Sequence, residues 1–220
     1  MPNSPQFFII AGPNGAGKST NGHLYISAGT SIFNGDQVFA DLVAKFPTIA
    51  PDRLQGGVAK KLEDARNEAL AAKKDFAFES NYSTDLATEI TNTFKKNGYQ
   101  TNLIYFGLDT LMESALRVRD RKIMGGHGVS QEVIQYNFEE GVKRVNQDLD
   151  LFDNILFIDT KDQDTRVIVL VDKKNDLQLN LKEAPSWYNN HFRPAIDVLP
   201  LKRIKTVREI FPEQKRGRRR

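Results

Sequence analysis

Two kinds of stretch alternate along the chain. Gln6–Ala11, Ser31–Phe33, Phe76–Phe78, Thr101–Leu108 and Asn154–Asp159 are short and largely apolar, the pattern of buried strands. The longer segments between them carry apolar residues at helical spacing. Asp52–Lys74 aligns Leu54, Val58, Leu62, Ala65, Ala69 and Ala72 on one face. Lys18–Ile26 and Val38–Phe46 also read as helices, as do a segment capped by Ser83 or Thr84 and ending at Lys96, Leu111 to about Met124, and Ser130 to about Leu151. Strands alternating with helices predict an α/β fold, with a mostly parallel five-stranded sheet and helices on both faces. Arg166–Val171 and Leu177–Leu181 flank the polar run Asp172–Asp176 and add a C-terminal β-hairpin. After Pro185 the pattern is too irregular to assign. The expected organisation is a core over residues 1–160, an extension over 161–214 packed on it, and a disordered basic tail over 215–220.

Composition narrows the chemistry. Across 220 residues, 40% are hydrophobic and 27% charged, an ordinary balance for a folded domain. No apolar run approaches the ~18 residues of a membrane span, and the N-terminus reads as no signal peptide, so a soluble, cytoplasmic protein is expected. There is no cysteine, which excludes disulfides and thiolate chemistry, and His23, His127 and His191 are too dispersed to suggest a zinc site. The net charge is +3, but Lys215, Arg216, Arg218, Arg219 and Arg220 contribute +5, leaving residues 1–214 at −2. That tail has no interleaved aromatic to stack on bases, so a solvated tail is favoured over a nucleic-acid contact.

Gly12-Pro13-Asn14-Gly15-Ala16-Gly17-Lys18-Ser19 matches the phosphate-loop pattern G-x-x-x-x-G-K-[ST] between a strand and a helix. The glycines let backbone N–H groups close around phosphate oxygens, and the helix opening at Lys18-Ser19-Thr20 adds its positive end. Lys18 would reach the β- and γ-phosphates, and the Ser19 hydroxyl would ligate Mg²⁺.

Strand-end logic places further groups on the same rim, since ligands of open α/β sheets bind at the carboxyl ends of strands. Ser19, Asp36, Glu79 and Asp109 are expected to converge there. Asp36 is either a base that accepts a proton from an attacking hydroxyl or an aspartate of an Asn-Gly-Asp tight turn. Glu79 either contacts the acceptor or a metal-bound water, or caps the turn at Ser80-Asn81. Arg117 and Arg121, one helical turn apart, either form a lid over a polyphosphate, hinged at Gly125-Gly126-His127-Gly128, or lie on a solvated helix. His127 alone reads as a loop residue.

With these pieces assembled, the chain resembles the zeta-toxin family of phosphoryl-transferring P-loop proteins, in its stand-alone, ABC-type-ATPase-like branch. The matching segments are Ala11–Thr20, Phe33-Asn-Gly-Asp36, Phe76–Ser80, and Arg117 with Arg121 before Gly125-Gly126-His127, in the family's order over about residues 6–160. The resemblance implies a kinase using ATP, or GTP, with Mg²⁺. In it Asp36 is the base, Lys18 and Arg117 or Arg121 stabilise the transition state, and Glu79, with Ser80 and His127 beside the site, holds the acceptor. It also implies a nucleotide-like acceptor, a UDP-amino-sugar or a dinucleotide, and raises an antitoxin protein as a partner. Two positions depart from the family. Ser80-Asn81 stands where Thr-Thr is usual, and Tyr136-Asn137-Phe138 stands where an arginine pair precedes an aromatic. The alternative from another class is a P-loop ATPase or nucleotide-dependent switch that transfers nothing to a small molecule.

Overall fold

The computed structural model describes residues 4–123, 128–161 and 165–208. Its organising strand is β1 (Gln6–Ala11), in which Phe7, Ile9 and Ala11 face one side and Phe8 and Ile10 the other, all buried. Burial on both faces is why this run is apolar throughout rather than alternating. β2 (Ser31–Asn34), β3 (Phe76–Ser80), β4 (Gln100–Gly107) and β5 (Asn154–Asp159) join it in the order β2-β3-β1-β4-β5, all parallel. The expected five strands are therefore present. From β1 the chain runs out to β2, returns to β3, then crosses to β4 on the far side. The carboxyl ends of β1 and β3 thus form a switch-point crevice, where open α/β sheets bind ligands.

One face of the sheet carries most of the core. α3 (Gln55–Ala72), α4 (Asp85–Lys96) and α6 (Gln131–Asp148) press Leu62, Ala69, Ile90, Phe94 and Val145 onto Phe7, Phe76, Leu103 and Phe157. The Phe94 ring stacks on Phe7 at 4.4 Å and on Phe76 at 5.3 Å between centroids. The second face, with Phe8, Ile10, Ile104, Phe106 and Ile158, is covered more lightly, in part by Tyr25 and Ile26.

Several boundaries differ from expectation, each for a local reason. The first helix, α1, spans only Lys18–Asn21 and tightens into a 3-10 turn over Gly22–Tyr25. There the chain presses so closely on the sheet that a Cβ at Gly22 would lie 2.9 Å from Ile10. α2 (Gly35–Lys45) begins three residues early, because the Asn34 side chain accepts a hydrogen bond from the Gln37 N–H and caps it. Asp36 therefore sits in a helical first turn, not in a tight turn.

The hairpin forms as β6 (Arg166–Asp172) and β7 (Leu177–Leu181), with β6 antiparallel to β5. The edge of the sheet is not this hairpin but β8 (Arg203–Val207), parallel to β7, which makes an eight-stranded sheet. Between them, α7 (Ser186–His191) and α8 (Arg193–Ile196) bury Trp187, Tyr188 and Ile196 against the core, so the unassigned region is ordered by its aromatics. Lys215–Arg220 lie outside the described residues. Among the described residues no helix is long and apolar enough to cross a membrane.

Candidate functional site: a phosphate loop facing a carboxylate-lined cavity

The phosphate loop follows β1 directly. Gly12 has φ 140°, and a Cβ there would meet the Phe106 carbonyl oxygen at 2.2 Å, so only glycine lets the loop pass β4 this closely. Lys18, at the first position of α1, folds back over the loop. Its Nζ donates to the carbonyls of Gly12 (2.8 Å) and Pro13 (3.0 Å) and to Asn81 Oδ1 (2.9 Å). Burial pushes its ammonium down to about 8, and the Arg121 charge acts in the same direction, against the opposing pull of Glu79 and Asp36. A buried cation held mainly by neutral oxygens is poised for an incoming anion.

Beside it, Ser19 Oγ donates to Glu79 Oε1 at 2.6 Å, and Asn34 Nδ2 approaches Ser19 Oγ at 3.4 Å. α1 and β3 thus bring the expected Ser19 and Glu79 together, with Asn34 of β2 beside them. A cavity of about 680 Å³ opens at this point, lined by the loop from Asn14 to Thr20, by Asp36, Glu79, Ser80 and Asn81, and by Arg117 and Arg121. Gly12 and Pro13 do not line it and act through their carbonyls on Lys18.

α5 (Leu111–Ile123) delivers the two arginines. Arg117 is held by partners within the protein. It donates to Glu113 Oε1 at 2.7 Å, to Thr160 Oγ1 at 3.1 Å and to the Thr160 carbonyl at 3.0 Å. Glu113, one turn earlier on the same helix, was visible as an i, i+4 pair; Thr160, brought in by β5, was not.

A second set of polar contacts went unseen. Asn137 Nδ2 donates to Asn14 Oδ1 at 2.8 Å, Ser83 Oγ donates to Asn137 Oδ1 at 2.6 Å, and Ser114 Oγ donates to the Asn14 carbonyl at 2.6 Å. All four residues are buried. The loop is thereby fastened at Asn14 to α5 and α6, and through Asn137 to the segment that leads into α4. The only sequence signal for this was the amide at position 137, within the segment that departs from the pattern of the resembled family.

Asp109 does not converge on the site. Its carboxylate accepts from Ser186 Oγ at 2.7 Å and from the Trp187 N–H at 3.3 Å, and it does not line the cavity. The C-terminal α7 takes up the strand-end position that the rim argument had assigned to a ligand. Gly125, Gly126 and His127 lie outside the described residues.

No protein-family model matches the chain. An uncharacterized protein of Haemophilus influenzae is 25% identical over 138 residues, covering 63% of this chain and 94% of that one. Solved structures give the fold. A chain of the PezAT chromosomal toxin–antitoxin system of Streptococcus pneumoniae superposes with a TM-score of 0.57 at 16% identity, over 74% of this chain and 71% of that one. The complex of AvrRxo1-ORF1 and ORF2 with ATP gives 0.55 at 15%, over 78% and 60%. A chain of the Pnkp1/Rnl/Hen1 RNA repair complex gives 0.56 at 17%, over 67% and 47%. The chain shares with these structures the α/β fold in which a phosphate loop follows the first strand of a mostly parallel sheet.

Proposed function

We propose that this protein is an ATP-dependent small-molecule kinase that transfers the γ-phosphate to a hydroxyl of a nucleotide-like acceptor, with GTP as the alternative donor. One observation carries the reading: a single cavity is lined by the phosphate loop with Lys18 and Ser19, by the carboxylates of Asp36 and Glu79, and by two arginines. The phosphates of the donor would lie in the loop, with Lys18 moving from its carbonyl and amide acceptors onto their oxygens. Asp36 is the proposed base. Its carboxylate has neither an ion pair nor a hydrogen bond among the described residues, so it is available to a substrate hydroxyl. As that oxygen attacks the γ-phosphorus, its proton passes to Asp36, and the bond to the β–γ bridging oxygen breaks to release ADP. Arg117 and Arg121 would offset the charge that spreads over the transferring group.

Ser19 and Glu79 fit a magnesium ion. They present hard oxygen atoms at the head of the loop, and no cluster of three or more His, Cys, Asp or Glu side chains exists among the described residues. That pattern suits Mg²⁺, which takes one or two protein oxygens and completes its shell with phosphates and water. When bound, the ion would neutralise charge on the β- and γ-phosphates. The PezAT neighbour comes from a toxin–antitoxin system, and by that analogy an antitoxin protein is the proposed macromolecular partner.

The test is incubation with γ-labelled ATP, Mg²⁺ and a panel of nucleosides, nucleotide sugars and dinucleotides, with mass analysis of products. Label on an acceptor supports the reading. Release of inorganic phosphate alone, unaffected by any acceptor, would favour the ATPase alternative.

A further inference from the structure

The charge of the cavity wall identifies the kind of acceptor, given the kinase reading above. Its cations among the described residues are Lys18, Arg117 and Arg121, from the phosphate loop and α5, the side that serves the donor. Beyond Asp36 the wall is built from residues 33–86, and that stretch contributes no cation to it. Its basic side chains are directed elsewhere: Lys60, for example, is exposed and pairs with Glu63 at 3.1 Å and Asp64 at 3.0 Å. Arg144, which reaches the start of α4, is held by Asp85 and Glu140.

The wall offers two other surfaces instead. Phe33, Val58, Leu62, Phe78 and Leu86 give it an apolar side drawn from β2, α3, β3 and α4. Asn34, Gln37, Ser80 and Ser83 supply neutral hydrogen-bonding groups around the two carboxylates. A phosphate placed against residues 33–86 would face the Asp36 carboxylate with no cation from that stretch to compensate it, and its lost hydration would go unreplaced. An uncharged ring carrying hydroxyls meets all of these surfaces, with its flat face on the apolar side, its polar edge on the amides and its reacting hydroxyl at Asp36.

We propose that the acceptor is an unphosphorylated, nucleoside-type polyol, and that this cavity discriminates against acceptors carrying a diphosphate. The diphosphate compounds implied by the family resemblance are thus disfavoured in this chain.

The test measures binding separately from turnover. With the loop occupied by a non-hydrolysable ATP analogue and Mg²⁺, titration calorimetry with uridine and adenosine is compared with a UDP-sugar and NAD. The nucleosides should bind at least about tenfold more tightly, with little dependence on salt, because no ion pair is formed. Leu86→Arg places a cation in the wall at a position 44% exposed, where the fold tolerates it. It should raise affinity for the diphosphates about fivefold or more and lower that for the nucleosides. Equal or tighter binding of the diphosphates by the unaltered protein overturns the proposal, as does failure of both nucleosides to bind. Nucleosides that bind with the expected preference, yet receive no label from ATP, uphold the charge preference and refute the kinase reading.

Discussion

Lys18 Nζ donates a 2.9 Å hydrogen bond to Asn81 Oδ1, tying the phosphate loop to the loop that follows β3. The acceptor is a neutral amide, so it orients the ammonium without cancelling its charge. A carboxylate at this position would compete with phosphate for the same cation. Asn81→Asp is expected to weaken ATP binding on the order of tenfold, about 1.4 kcal/mol, while the fold is retained. Calorimetric titration with ATP and Mg²⁺ measures this, and unchanged affinity would remove Asn81 from the account.

The pH dependence follows from the same lysine. Its folded-state value is lowered from 10.5 to about 8, so between those limits the folded protein holds fewer protons than the unfolded chain. Lys18 therefore makes a contribution to stability that rises with pH across this window and is flat below about 8. Nucleotide binding has the opposite sign, because phosphate favours the protonated amine. Above pH about 8, ATP affinity should fall by up to about tenfold per unit, with proton uptake on binding. Calorimetry in two buffers of different ionisation enthalpy at pH about 8.5 reads that uptake directly, and its absence would place the bound-state proton elsewhere.

Asp36→Asn should separate binding from transfer. The amide preserves the shape of the first turn of α2, so ATP affinity is expected to stay within about twofold, whereas acceptor phosphorylation should drop by about a hundredfold or more, as loss of a general base requires. Rapid-quench measurement of labelled product, alongside nucleotide titration, resolves the two effects. Transfer that survives with little loss would move the role of base to Glu79.

How much of this was legible depended on the range of the interactions. The phosphate loop, the five parallel strands and the meeting of Ser19 with Glu79 could be read because each follows from a local pattern combined with strand-end topology. Asp36 was ambiguous, since Asn-Gly-Asp suits both a turn and a helix start; the Asn34 side-chain cap decides it. The Asp109 expectation failed because α7, built from an irregular stretch, returns to place Ser186 on that carboxylate and Trp187 Nε1 on Asp159. β8 and the Thr160 contacts of Arg117 likewise depend on distant segments meeting, and no period in the sequence encodes such meetings.

The buried amide chain at the loop yields the last prediction. Asn137 donates to Asn14 and accepts from Ser83, while Ser114 donates to the Asn14 carbonyl, so a chain of neutral groups fixes the loop to α5, α6 and the segment before α4 without any charge. Asn137→Ala leaves the Asn14 side-chain oxygen and the Ser83 hydroxyl without these partners in a buried setting, at a cost of about 2 kcal/mol. For a domain of this size that corresponds to a fall in melting temperature of roughly 4–8 °C. ATP binding should weaken as well, because the freed loop must be ordered again by the nucleotide; addition of ATP and Mg²⁺ should then raise the melting temperature by less than it does in the unaltered protein. Tyr136→Ala, at the neighbouring residue with a half-exposed side chain, controls for helix propensity and should shift neither quantity appreciably. If both substitutions lower the melting temperature equally and leave the ATP response intact, α6 is a packing element and Asn137 does not position the loop.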